Sequence, residues 1–562
     1  MNATELLVLY ERVADAPDAA KKMRQLVLEL AVRGQLVEQS AFLAPEVNSS
    51  ESGPRSVGIT EEERFVDVPT QWSWKRISEI GSLAGGMTPT MGRAEYWDGD
   101  IVWLSPKDIK ASEVSNSELK ITAKGLSETR LKLFPPGSLF IVARSGILKR
   151  TLPVAINTVA ATANQDLKVL VPFQGSLSRY LQIMLRGFER FILNRLVKTG
   201  TTVQSLRYDE FEYQAFPLPP LDEQHRIVAK VDELMALCDQ LEAARTERES
   251  ARDRLAAASL ARLNAPDPDT FQSDARFALN VLPALSARPD QVKQLRQTIL
   301  NLAVRGRLVS QDPRDEPAAT LLEMIAEEQR ELGARQPSRR DETTELQQRL
   351  QSLCERPANW VWGRVEQAVL YTEYGTSEKS NTTSDGVPVL AMGNIQNGKV
   401  SWGEEKRIPR SCQDLPRLLL KRFDLLYNRT NSAELVGKTG IYLGDDDTFT
   451  FASYLIRLRP SLRWTNPRYL NMAMNSTEFR LTQIVPHIKK QTGQANVNGT
   501  TLRQMLLPLP PLAEQHRIVA KVDELMAVCD LLEASLKAGE FTRSRILDAF
   551  LHEALQPAAS AA

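Results

Sequence analysis

Downstream of residue 217, apolar residues recur at alternating spacings of four and three: Ile227, Val231, Leu234, Cys238 and Leu241. The same rhythm returns at Ile518, Val522, Leu525, Cys529 and Leu532. That repeat is the seam of a coiled coil, so each run predicts a helix with one face packed on another helix. Pro217, Pro219 and Pro220 hold the preceding residues extended and cannot continue a helix. Glu223 and Glu514 fall in the first predicted turn, where the helix dipole favours an anion. Helical composition runs on to about Arg262 and His552. At 1.5 Å per residue each helix reaches roughly 60 Å.

Around the seams the sequence is doubled. "PLPPLDEQHRIVAKVDELMALC" (217–238) returns as "PLPPLAEQHRIVAKVDELMAVC" (508–529), changed only at Asp222/Ala513 and Leu237/Val528. "LELAVRGQLV" (28–37) returns as "LNLAVRGRLV" (300–309). A period near 280 residues is too long for a solenoid and indicates duplicated domains. In the divergent blocks between, short apolar runs bounded by Gly, Pro and Asn predict strands. "IVWLSPKDI" (101–109) parallels "VPVLAMGNI" (387–395), and "SLFIVARS" (138–145) parallels "DLLYNRT" (424–430). "SRYL" (178–181) parallels "PRYL" (467–470), and "TG" at 199–200 parallels "TG" at 492–493.

The predicted organisation follows. An N-terminal helical segment (1–45) completes the repeat, and a first α/β domain spans 60–216. A first spacer helix covers 217–265, and a linker with a helical segment covers 266–355. A second α/β domain spans 356–507 and a second spacer helix 508–556. The fold class is α+β: two α/β domains separated by two long antiparallel helices, with a pseudo-two-fold internal repeat. If the two seams pack on each other, the natural arrangement is antiparallel, with one α/β domain at each end. Residues 28–37 should then sit where the second helix ends, bringing the termini together.

Length and charge refine this picture. A chain of 562 residues exceeds one hydrophobic core. No apolar run is long enough to span a membrane, the N-terminus lacks a signal-peptide layout, and four cysteines make no disulfide framework. A cytoplasmic location is the expectation. Net charge is zero, with 70 basic and 70 acidic residues, but its distribution is uneven. Residues 65–216 carry 19 Lys/Arg against 14 Asp/Glu, and 357–507 carry 19 against 13. The spacer 312–355 carries 6 against 11. Two basic blocks between acidic spacers suit a polyanion partner.

The closing segments "PLPPLDEQHRIV" and "PLPPLAEQHRIV", the "LAVRG(Q/R)LV" segments and the "TG" loops resemble the DNA-specificity subunits of type I restriction–modification enzymes over essentially the whole chain. The resemblance implies that each variable block is a target-recognition domain reading one half of a bipartite, asymmetric DNA sequence. The paired helices would act as spacer and docking face. Implied partners are double-stranded DNA, two modification (methyltransferase) subunits and restriction/translocase subunits, with no membrane. The resemblance implies no catalysis and no cofactor in this chain; S-adenosylmethionine, ATP and magnesium are expected on the partner subunits. A roughly 60 Å spacer would set two readers between one and two DNA turns apart, at about 34 Å per turn.

Candidate DNA contacts are loops mixing Lys, Arg, Gly, Thr, Gln and Asn, which can approach phosphates and base edges. In the first block these are Arg144, Lys149, Lys198, Thr199, Thr201 and Gln204. In the second they are Asn394, Asn397, Arg429, Asn431, Lys438, Lys489, Lys490, Gln491, Asn496 and Asn498. Catalytic look-alikes are rejected. "NPRY" (466–469) reads as a helix cap, and "SAELVGKT" (432–439) lacks the first glycine of a phosphate loop and precedes a strand. His225 and His516 lack partners at metal-ligand spacing. Two rivals stand beside the specificity subunit. A self-contained adenine-N6 DNA methyltransferase would methylate DNA alone, and a coiled-coil scaffold would show no salt-dependent DNA binding.

Overall fold

The computed structural model describes residues 16, 18–38, 58–173, 178–200, 203–264, 267, 269–333, 353, 355–382, 385–491 and 494–555. The chain divides into two compact units, Met1–Arg248 with Gly539–Ala562, and Glu249–Ala538. Both long helices form, Leu221–Asn264 of 44 residues and Leu512–Ala554 of 43. Each unit therefore holds the start of one long helix and the end of the other.

In unit one, Ile227, Val231, Leu234 and Cys238 are buried in one core with Met23, Leu26 and Leu30 of the short helix Ala19–Val32. In unit two, Ile518, Val522 and Cys529 are buried with Val292, Ile299 and Ala303 of the helix Pro289–Val304, and Leu525 is half-buried beside them. The seams are thus filled within their own units by the short helices. The reason is local. Each "LAVRG" segment belongs to a short helix that offers an apolar stripe to the seam and an arginine to its acidic flank. Arg24 reaches Asp239 at 2.7 Å and Glu242 at 2.5 Å. Arg296 reaches Asp530 at 2.6 Å and Glu533 at 3.5 Å.

Both short helices stop at the glycine of the repeated motif. Gly34 has φ 72° and Gly306 φ 67°, the left-handed turn that ends a helix and that a residue with a Cβ adopts at a cost. The first short helix also meets the end of the second long helix. Lys22 bonds Asp548 at 2.5 Å, and Leu547 is fully buried in the unit-one core. The segment carrying the N-terminal repeat therefore lies beside the C-terminal helix.

The domain between repeats is built alike in both units. In unit one, strands Gly81–Gly85, Leu167–Pro172, Leu139–Val142, Val154–Asn157 and Glu113–Val114 form a sheet in that order. In unit two, Val369–Tyr374, Leu455–Pro460, Leu425–Asn428, Thr439–Ile441 and Lys399–Val400 repeat the order, and Ile395–Gln396 adds a sixth strand. In each, only one pairing is parallel, Val154–Asn157 with Glu113–Val114 in unit one and Thr439–Ile441 with Lys399–Val400 in unit two. A three-stranded sheet recurs too: Leu119–Ile121, Trp97–Leu104 and Ala161–Ala163 match Arg407–Ile408, Val387–Leu390 and Thr450–Phe451.

The proline run closes each domain. Ala215–Leu218 pairs with Ser73–Arg76, and Leu506–Leu509 pairs with Val361–Arg364. Proline is tolerated because the ribbon has only two strands, so the missing N–H faces no partner. The chain thus leaves each domain beside the point where it came in. Trp72 then donates its indole N–H to Glu223 at 3.1 Å, and Trp360 donates to Glu514 at 2.9 Å. These glutamates do more than meet the helix dipole: buried in the first turn, they bolt the domain to the long helix. The same turn is stitched again by Gln224 and Gln515, which donate to the carbonyls of Pro219 and Pro510.

Candidate nucleic-acid interface

Most loop candidates converge on a small third sheet in each unit. In unit one, Val197–Lys198 pairs with Gln204–Leu206, which pairs with Arg144–Ser145. In unit two, Lys489–Gln491 pairs with Gln494–Asn496, which pairs with Thr430–Asn431. The "TG" loops, wholly or partly outside the described residues, join the paired strands, so the "Arg-hydroxyl" strands and the "TG" hairpins are one surface in each domain. This is where polar side chains gather on a rigid scaffold.

Within these sheets the candidates differ in availability. Arg144, Lys149, Lys198 and Thr199 are exposed, and Arg144 makes no side-chain hydrogen bond or ion pair to any described residue. Gln204 is buried instead, its amide donating to the Gly200 carbonyl at 3.1 Å, so it braces the hairpin. Arg429 is half-buried, its guanidinium 5.0 Å from the Tyr374 ring centre and bonded to the Ser453 carbonyl. Asn431 accepts the Ser432 N–H, and Asn496 is half-buried opposite Thr430. Lys489, Lys490 and Gln491 lie on their strand, but their side chains, like the whole of Thr201, fall outside the described residues.

Three candidates sit on the other sheet. Asn397 is exposed at the tip of the hairpin joining Ile395–Gln396 to Lys399–Val400, with φ 50°. Lys438 is exposed just before the strand Thr439–Ile441. Asn394 is spent on its own loop, accepting the Ala391 N–H at 2.7 Å and donating to Ser401 O and Glu405, each at 2.8 Å. Asn498 is likewise spent, capping the helix Gly499–Gln504 through the Thr501 N–H. These two amides hold turns, which is what Asn does where a chain reverses.

The rejected motifs have structural roles. Asn466 caps the helix Pro467–Met474, and Tyr469 donates to the Pro508 carbonyl at 2.8 Å. "SAELVGKT" turns into a strand. His516 pairs with the Asn466 amide at 3.1 Å, and among the described residues no cluster of His, Cys, Asp and Glu could hold a metal ion. Burial pushes the Cys238 and Cys529 thiols up, consistent with small apolar seam residues.

The pins at Trp72 and Trp360 were not anticipated, although "QWSWKR" (71–76) and "NWVWGR" (359–364) repeat a W-x-W-x-R pattern. Beside the small sheet of unit one lies a cleft of about 650 Å³ that loop composition also did not reveal. Trp103, Lys107, Asp108, Arg144 and Asp166 line it.

Each of the two α/β domains is thus closed by a ribbon onto a long helix, with polar loops gathered on a small sheet. A family model described as the type I restriction modification DNA specificity domain matches residues 69–248 and 373–539. The chain belongs to that family of specificity subunits, which are non-catalytic components of type I restriction–modification systems. It is 26% identical over 560 residues to the specificity subunit of the type I restriction enzyme EcoAI of Escherichia coli, covering 95% of this chain and 94% of that one. The EcoEI specificity subunit of Escherichia coli is 24% identical over 561 residues, with the same coverage. Among solved structures, the HsdS subunit from Thermoanaerobacter tengcongensis is similar at 18% identity and a TM-score of 0.42, covering 88% of this chain and 99% of that one. Among the described residues no helix is long and apolar enough to cross a membrane.

Proposed function

We propose that this chain reads a bipartite, asymmetric duplex DNA target, one half-site per domain, and docks two modification subunits through its repeated helices, with restriction subunits joining them. One observation carries the reading: the strand order recurs in both domains, while the polar side chains on the small sheets differ. Surfaces meeting the same partner twice stay alike, whereas surfaces reading different half-sites diverge. S-adenosylmethionine belongs in this reading to the modification subunits, and ATP with magnesium to the restriction subunits, in the cytoplasm. Lys149, Lys198 and Lys438 supply phosphate contacts that position the domains, a role that carries affinity and salt dependence. Genome-wide mapping of N6-methyladenine with and without the chain tests this. Two different short half-sites around a fixed gap are expected; a palindrome or one uninterrupted motif defeats the proposal.

A further inference from the structure

The cleft of unit one is lined by four charged side chains that make no hydrogen bond or ion pair to a described residue, Lys107, Glu118, Arg144 and Asp166, and only the last two stand on backbone segments bonded to each other. Its floor is set: Trp103 is buried, donates to the Met87 carbonyl at 3.1 Å and meets Trp97 edge to face. Asp108 is consumed by its loop, accepting from Ser105 N at 2.8 Å, Ser105 Oγ at 2.7 Å and Glu118 N at 2.9 Å. Arg144 and Asp166 differ. Their backbones are tied, the Arg144 N–H donating to the Asp166 carbonyl at 3.0 Å, and the Asn164 side chain accepts the Asp166 N–H at 3.0 Å. Yet the guanidinium and the carboxylate both line the cleft without an ion pair between them or a side-chain hydrogen bond to any described residue. A guanidinium fork and a carboxylate that line one cleft from bonded backbone segments, each unpaired, can offer two donors and an acceptor to one ligand edge.

The major-groove edge of one base pair has the complementary set. Guanine offers two acceptors, N7 and O6, which an arginine takes with both arms, and its cytosine partner offers the N4 donor, which a carboxylate accepts. An A·T pair puts a donor where the second arginine arm needs an acceptor. We propose that this cleft is a specificity site for one G·C pair of the first half-site, with Arg144 on the guanine and Asp166 on the cytosine. The proposal rests on the DNA-reading function above. Unit two lacks this pair. The corresponding backbone bond there runs from Arg429 to Tyr454 O at 3.0 Å, so tyrosine replaces the carboxylate, and Arg429 is folded over Tyr374.

The test uses the full chain assembled with its modification subunits and a library of randomised duplex DNA, read by selection and by N6-methyladenine mapping. Arg144→Ala should cut discrimination at one G·C pair of one half-site by about ten- to a hundred-fold, leaving the other half-site and the gap intact. Asp166→Ala should loosen the same pair, and Arg429→Ala should loosen no pair of that half-site. If Arg144→Ala abolishes binding, Arg144→Lys decides: guanine preference weakened at a single position supports the site, and uniform weakening overturns it. A parental motif unchanged in both Arg144→Ala and Asp166→Ala, or changed at different pairs, overturns the inference while the functional reading stands. A parental complex that returns no bipartite motif brings down both.

Discussion

Set side by side, the two domains agree where they touch helices and disagree where they face outward. Trp72 on Glu223 and Trp360 on Glu514 repeat one contact, at 3.1 and 2.9 Å. Arg144 and Arg429 occupy matching sequence positions, yet one makes no side-chain bond to a described residue and the other lies on a tyrosine ring. On the function proposed above, a helix surface used twice would constrain every residue that fixes its geometry, whereas a reading surface would be constrained only to stay folded.

The largest expected effect tests the sameness. Truncating a buried tryptophan costs about 3–5 kcal/mol, counting the cavity and the orphaned carboxylate. Trp72→Ala and Trp360→Ala should each destabilise by that order, measured by denaturant unfolding of the intact chain. If one were silent and the other severe, the pins would not be equivalent.

A smaller effect should separate the halves. Burial raises the Glu514 carboxyl above its ordinary value of 4.5, against the lowering pull of hydrogen bonds from Trp360 and Gln311. The folded state therefore binds this proton more tightly than the unfolded state. Its contribution to stability is full below the unfolded value and is lost as pH rises through the raised one. Relative to the parent, Glu514→Gln should remove that component, so parent minus variant stability should fall between pH 4.5 and neutral. A difference that stays flat or rises across that window counts against it.

The smallest effect concerns the matched arginines on the seam flanks. Arg24 and Arg296 bond carboxylates that are themselves well exposed, so each removal should cost about 1 kcal/mol or less. The expected signature is equality: Arg24→Ala and Arg296→Ala should shift the unfolding midpoint alike, and both shifts should shrink in high salt.

Legibility follows the same division. The long helices, their burial face and the position of the N-terminal repeat beside the second helix could be read, because seam spacing and near-identity are local, periodic signals. Which surface would fill each seam could not be read, since a 4-3 pattern specifies a helical partner without naming it. Arg24 and Arg296 were the missing clue: they sit just upstream of "LAVRG" and match acidic pairs in the seam flank. Among the reading residues, type was legible and availability was not. Asn394 and Asn498 have the composition of base readers but cap turns, and Gln204 is buried. Asp166 escaped notice because its meaning lies in an absent ion pair, which no linear motif encodes.

The ribbon that joins the first and last strands of each domain has an evolutionary consequence. A segment whose two ends lie side by side can be exchanged as one piece, because the host chain must bridge only a short gap. The near-identical stretches at 217–238 and 508–529 flank such pieces with matching text. Recombination between related genes at these stretches would splice a foreign domain onto an unchanged helix, in register, through the same tryptophan pin. On the function proposed above, such an exchange would bring a new recognition sequence in one genetic event, without waiting for mutations to accumulate across a reading surface.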